Sequence, residues 1–307
     1  MGSSQAGAVS SPSQHDAWLK QASAAAFARR AKLENFPVAS RFLSPTLRRD
    51  LAGVYAISRL IDEAGDAAPG DRLDLLDLLD GEIDLLADGS ARYPAFDLLL
   101  PAVRERGLDP APFHRLVQAN RQDQSVSRYE TFDDLRAYCR LSADPVGRLV
   151  LNLFGVLTPE RMRLSDQICT ALQIAEHLQD VGEDYLAGRV YVPQDSLARF
   201  EVSEVTIAGL ADPITAPVVG GAERARVSGL LVAEARRARS LLRAGAPLVP
   251  LVPGRMRIAV AGFIGGGHAA LDAVVAAGSS AVTTTPRPRP TRLLRHLTVS
   301  LLSGGRR

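Results

Sequence analysis

Apolar residues recur at helical spacing over almost the whole length of this chain, and stretches that alternate in polarity or run in β-branched residues are hard to find. A period near 3.6 residues fits a helix that buries one face and does not fit a strand. An all-α fold is therefore expected. Pro, Gly and Asp punctuation divides the pattern into helices near 15 to 32, 46 to 66, 71 to 88, 93 to 106, 111 to 123, 131 to 156, 163 to 186, 204 to 210, 220 to 244 and 255 to 277. The chain has 307 residues, 46% of them hydrophobic, enough for one large core or two modest ones. No internal repeat appears, and no composition shift marks a linker before about residue 280. The expected organisation is a disordered leader at 1–14, one helical domain at 15–280 and a Pro/Arg-rich tail at 281–307.

Charge and composition exclude several classes. The net charge is +2, with acid concentrated near 63 to 90 and base from Arg287 to Arg307, a balance that does not point to nucleic acid. Cys139 and Cys169 are too few for a disulfide framework and lack neighbours at zinc-ligand spacing, so buried thiols in a reducing cytosol are expected. The N-terminal MGSSQAGAVSSPSQ has neither the basic head nor the apolar run of a secretion signal. Residues 258 to 278 are long enough to cross a bilayer, but His268, Asp272 and a run of glycines would be costly in lipid, so a buried helix is expected. For RLLRHLTVSLLSGGRR at the C-terminus two readings stay open: a basic amphipathic helix on the inner face of an anionic plasma membrane, or a solvated tail.

Two aspartate pairs carry the chemistry. Asp62 with Asp66 in YAISRLIDEAGD, and Asp180 with Asp184 in ALQIAEHLQDVGEDYLAGRVYVP, have the four-residue spacing that sets two carboxylates on one helix face. Hard oxygen ligands of this kind suit magnesium shared with a substrate diphosphate. The acids of DRLDLLDLLDGEIDLLADG repeat opposite a leucine stripe and read as a solvated face without chemistry. Asp62 and Asp66 differ because they follow the apolar LAGVYAISRLI, with Tyr55 and Arg59 on the same side. Asp180 and Asp184 share a face with Gln173, Glu176 and His177. Between the pairs, residues 131 to 186 are apolar on more sides than a surface helix needs, and Ser142, Ala143, Gly147 and Gly155 leave room for close helices or for an apolar ligand.

The segments around both pairs resemble the two aspartate-rich motifs of the squalene and phytoene synthase family, all-α isoprenoid synthases whose helices surround a central apolar cavity. Within that family the chain is most similar to the hydroxysqualene synthases of bacterial hopanoid biosynthesis, through ENFPVASRFL at 34 to 43, YETFDDLRAYCRLSADPVGRLVLNLFG at 129 to 155 and SDQICTALQ at 165 to 173. The resemblance implies that Asp62, Asp66, Asp180 and Asp184 hold magnesium. It further implies that Arg59, Arg189, Asn35 and the hydroxyls of Tyr55 and Tyr191 contact the diphosphate. Tyr129 and Gln173 fall where the family lines its cavity near the reacting carbons. Glu176 stands where the family places Asn; a further ligand, a base toward water and a plain ion-pair partner are all open roles for it. The first motif departs at Glu63 and Ala67, where the family carries further aspartate or acid.

The reaction implied is the conversion of presqualene diphosphate and water to hydroxysqualene and diphosphate, with no NADPH. No GxGxxG follows an expected strand, and GGG at 265 to 267 reads as close helix packing. Head-to-head condensation of prenyl diphosphates, as in presqualene diphosphate, squalene or phytoene synthases, is the alternative. A non-catalytic isoprenoid-binding member is the second. Functional coupling to a presqualene diphosphate synthase and peripheral membrane association are the partner expectations.

Overall fold

The computed structural model describes residues 12–21 and 43–303, and among them there is no strand, only one isolated bridge between Arg128 and Val190. The described chain falls into two compact units, one of residues up to Ser125 with Asn152–Gly155, the other of Val126–Leu151 with Val156 onward.

In the first unit, α1 (Pro12–Gln21) begins inside the stretch read as leader. It is followed by α2 (Pro45–Asp66), α3 (Arg72–Ala87), α4 (Pro94–Asp97), α5 (Leu100–Arg106) and α6 (Pro112–Asp123). Local chemistry sets their starts. Ser44 Oγ accepts from Leu47 N at 3.2 Å with Pro45 in the first turn, and Asp71 Oδ1 accepts from Leu73 N at 2.9 Å. Ile57, Leu60 and Ile61 of α2 and Leu75, Leu79 and Ile83 of α3 are fully buried, and both helices pack on α6. The acidic face of α3 is not merely solvated, contrary to its sequence reading. Arg121 Nη1 donates to Asp80 Oδ2 at 3.0 Å, His114 Nδ1 lies 2.5 Å from Asp80 Oδ1, and the buried Glu82 accepts the amides of Arg92 and Tyr93. The run thus ties α3 to its neighbours, an outcome that period alone cannot separate from solvation.

The second unit holds α7 (Phe132–Ser142), most of α8 (Asp144–Leu153), α9 (Pro159–Gln179), α10 (Val181–Leu186), α11 (Gln194–Arg199), α12 (Glu204–Ala211), α13 (Gly221–Gly245), α14 (Leu248–Leu251), α15 (Gly254–Ala277), α16 (Ser280–Thr283) and α17 (Pro290–Ser303). Its centre is α9 against α13 and α15, with α17 laid along α15. The helix expected over 131 to 156 is two helices, broken at Ala143, because Pro145 has no amide to give to the preceding turn. The helix expected over 163 to 186 is also two, and the seam falls at Asp180 (φ −105°, ψ 15°). Helix α15 is long and apolar enough to cross a membrane and is packed against α9, α13 and α17. The tail is helical over Pro290–Ser303.

Candidate active site

Helix α2 is unbroken from Pro45 to Asp66, so Tyr55, Arg59, Asp62 and Asp66 run along one side of it at helical intervals. Asp62 is half-buried and Asp66 exposed. The end of this helix is fixed by α6. Asn120 Nδ2 donates to Leu116 O at 3.1 Å and reaches Asp62 Oδ1 at 3.4 Å, while Gln124 Nε2 donates to Gly65 O and Asn120 O, both at 3.0 Å. A Cβ on Gly65 would sit 2.1 Å from Asn120 Oδ1, so the close approach of α6 to the aspartate pair requires glycine there. Arg59 Nε is buried and finds no acceptor among the described residues, which suits a donor meant for an anionic ligand. Asn35 lies outside the described residues.

The second pair straddles the α9–α10 seam instead of lying within one uninterrupted helix. Its register survives the break, because Asp184 N still donates to Asp180 O at 2.8 Å. Burial pushes the Asp180 carboxyl up to about 6, and the charges of Glu176, Glu183 and Asp184 push it the same way against His177. Gly182 sits in this seam with Val282 O only 1.8 Å from where a Cβ would be. The segment after α16 closes over the same place: Gln179 Nε2 donates to Pro286 O at 2.6 Å and Thr285 Oγ1 to Glu183 Oε1 at 2.5 Å.

Beside that seam the second unit gathers an aromatic cluster. Ser127 O accepts from Val190 N at 2.9 Å, Tyr129 O from Gln194 N at 2.9 Å and Glu130 O from Asp195 N at 3.0 Å, so residues 127–130 are tied to 190–195. Arg128 secures the tie with Nε and Nη2 on the two Glu204 carboxylate oxygens at 2.7 and 2.8 Å and Nη1 on Gly188 O at 2.7 Å. Tyr129 thereby stacks on Tyr191 with centroids 5.8 Å apart, Tyr138 lies 5.6 Å from Tyr191, and His177 stacks on Tyr191 at 3.6 Å. Gln173 Nε2 is 3.4 Å from His177 Nε2, and His177 Nδ1 is 3.7 Å from Asp184 Oδ2. Gln173, His177, Tyr129, Tyr138, Tyr191 and Asp184 are therefore contiguous, and a cleft lined by His177, Asp184, Arg189, Tyr191, Leu197 and Ile207 opens beside them. Glu176 is exposed one turn before Asp180.

Sequence reasoning passed over Asn120, Tyr138 and the central position of His177. A signal for Tyr138 was available: the chain has only six tyrosines, and two of them lie at 129 and 138 within a stretch already marked as central.

Among the described residues no group of three or more His, Cys, Asp or Glu side chains is gathered so as to hold a metal ion alone. Magnesium typically keeps several waters and binds through one or two carboxylates together with substrate phosphates, so such a gathering is not required. Mutually repelling carboxylates around Asp180 are a donor set that fits a divalent cation of this kind.

An all-α chain carrying two aspartate pairs at helix ends, one beside a half-buried arginine and the other beside an aromatic cluster, is of the isoprenoid synthase class. The squalene/phytoene synthase family pattern matches residues 29–295. The chain is 40% identical over 169 residues, 54% of its length, to a hydroxysqualene synthase of Sinorhizobium fredii, and 34% identical over 175 residues, 56% of its length, to a phytoene synthase of Mycobacterium bovis. It spans about half the length of these curated relatives, 56% of the first and 57% of the second. The crystal structure of squalene synthase HpnC from Alicyclobacillus acidocaldarius superimposes with a TM-score of 0.72 at 36% identity, over 88% of this chain and 95% of that one. The chain belongs to the squalene/phytoene synthase family.

Proposed function

We propose that this protein converts presqualene diphosphate and water to hydroxysqualene and diphosphate in a magnesium-dependent reaction. The observation that carries this reading is the 40% identity to a relative named hydroxysqualene synthase, against 34% to one named phytoene synthase. Asp62 and Asp66 on α2, and Asp180 and Asp184 at the α9–α10 seam, supply the hard oxygens for magnesium carried with the diphosphate. Magnesium, when bound, offsets the negative charge that develops on the leaving group.

The remaining roles belong to the chain's own groups. Arg59 and Arg189 donate to diphosphate oxygens, and Arg59 Nε gains the acceptor it lacks in the described structure. The hydroxyl of Tyr55 and that of Tyr191, with Asn35, add further donors. The carbon–oxygen bond breaks with its electron pair leaving on diphosphate, and the cyclopropylcarbinyl cation that remains rearranges with opening of its three-membered ring beside the faces of Tyr129, Tyr138 and Tyr191, whose π-electrons stabilise positive charge. Gln173, held next to His177, orients the water. Water oxygen then bonds to carbon, and its proton passes to solvent by way of the exposed Glu176. No hydride is consumed, so NADPH has no part. Substrate would come from an enzyme that joins two prenyl diphosphates head to head, in the reducing cytosol where Cys139 and Cys169 stay as thiols.

Purified protein incubated with presqualene diphosphate and magnesium should give hydroxysqualene by mass spectrometry, with or without NADPH, and should leave farnesyl diphosphate unreacted. Squalene formed only with NADPH, or presqualene diphosphate or a carotenoid precursor formed from prenyl diphosphates, would replace this reading with a condensing enzyme. Isoprenoid binding without any turnover would leave a binding protein. A Glu176→Asn variant equal to wild type in rate and product would remove that residue from both metal binding and proton transfer.

A further inference from the structure

The second unit ends in a helix with two different sides. Towards the unit, α17 lies against α15 at Gly265, where a Cβ would come within 2.8 Å of Leu297 N. It is pinned there by Asp272, which accepts from Arg239 Nη2 at 2.6 Å, Arg292 Nη1 at 2.8 Å and His296 Nε2 at 3.0 Å. On the outside, Leu294 is 64% exposed, Val299 53% and Leu293 37%, in a protein whose core leucines are otherwise mostly sealed. Arg287, Arg289 and Arg295 are also exposed. From Pro286 to Arg307 the sequence has six arginines and one histidine and no Asp or Glu.

We propose that this outer side of α17, with the arm before it, is a docking surface for an anionic phospholipid bilayer. Arginines with no acid among them are complementary to a surface of one sign, and a few isolated apolar side chains between them match the shallow insertion of an interfacial helix. Three exposed apolar side chains are too small a patch for a stable protein interface, which buries about 800 Å² on each partner. The arm is joined to the neighbours of the second aspartate pair: Thr285 hydrogen-bonds to Glu183, which precedes Asp184, and Pro286 to Gln179, which precedes Asp180. A bilayer held by α17 would therefore lie close to the part of this unit proposed to meet an apolar diphosphate. The docking itself does not depend on the reaction proposed above.

The test uses the full chain, cosedimented with vesicles of equal parts phosphatidylcholine and phosphatidylglycerol and with vesicles of phosphatidylcholine alone, at low and at high salt. Binding to the anionic vesicles that falls with salt is expected. The triple variant Arg287→Gln, Arg289→Gln, Arg295→Gln should bind about a hundredfold more weakly, from about fivefold per arginine at the surface. The variant Leu294→Ser should also bind more weakly while keeping its salt dependence. None of these residues pairs with Asp272, so melting temperatures should be unchanged. Should the triple variant fail to fold, the wild-type salt series decides, and binding insensitive to salt overturns the proposal. So do wild-type protein that ignores anionic vesicles or binds neutral ones equally, a triple variant that binds as wild type does, and a triple variant that loses self-association in solution while vesicle binding stays the same. Turnover is not a readout here, so failure of this surface and failure of the proposed reaction are told apart.

Discussion

Asp144 opens α8 with 2% of its surface exposed, and its Oδ1 accepts from Thr170 Oγ1 at 2.9 Å. Burial first, and the neighbouring Asp166 next, push its carboxyl up to about 7 from an ordinary 3.8, against the pull of Thr170, Arg148 and Arg140. The folded protein thus binds a proton that the unfolded chain has already lost. The sign follows directly: stability is highest below pH 3.8, declines as pH rises through the interval up to about 7, and is lower by the full amount above it. At about 1.4 kcal/mol per pH unit, the interval amounts to on the order of 4 kcal/mol. Asp144→Asn keeps an oxygen for the Thr170 hydroxyl and carries no charge. The variant should therefore match wild type only below about pH 3.8 and be the more stable protein at pH 8, by about 2–4 kcal/mol once relaxation around the buried charge is allowed for. Thermal unfolding of both proteins followed by circular dichroism across that range gives the difference directly, and taking the difference cancels every other titrating group. A gap that stays constant with pH, or a variant less stable at pH 8, would refute the reasoning.

Three further outcomes are expected. Gly182→Ala, which puts a Cβ 1.8 Å from the Val282 carbonyl oxygen, should lower stability by about 1–3 kcal/mol and impair turnover, while Gly81→Ala, with nothing within 4 Å of the new methyl, should not lower stability. Asp180→Asn should cut magnesium-dependent turnover about a hundredfold or more with helix content unchanged by circular dichroism, and in wild type the magnesium requirement should rise as pH falls below about 6, where the carboxyl takes up a proton. Burial pushes the Cys169 thiol up to about 12 and the Cys139 thiol higher still, so the native protein should react with iodoacetamide at pH 8 far more slowly than in urea, as followed by mass spectrometry.

The sequence carried the helices well wherever local rules operate. Ser44, Thr131 and Thr158 each accept the amide expected of a cap, and the apolar spacing of α2 alone is enough to set Tyr55, Arg59, Asp62 and Asp66 in a line. The breaks were harder. Pro145 marked one of them, yet the apolar period on both sides of Ala143 hides it, and the break at Asp180 has no Pro, only Gly182 two residues on, inside the next helix. Contacts between distant segments were not legible. Nothing near Asp62 announces Asn120, and nothing near Gln179 announces Pro286, since each partner is chosen by packing across helices far apart in the chain. The acidic run of α3 shows the limit of periodicity from the other side, because Asp80 and Glu82 repeat like surface residues and are nonetheless bonded to Arg121 and to the amides of Arg92 and Tyr93.

The tie between residues 127–130 and 190–195 gives the second unit a mechanical property of its own. Leu157, in the connection that leads into α9, is 39% exposed, whereas Tyr129, Val190 and Tyr191 are all buried. Protease should enter at the former and leave the latter intact. A chain nicked there would run as two bands on a denaturing gel yet elute as one particle, its severed pieces still clasped by the backbone hydrogen bonds that bring Tyr129 against Tyr191.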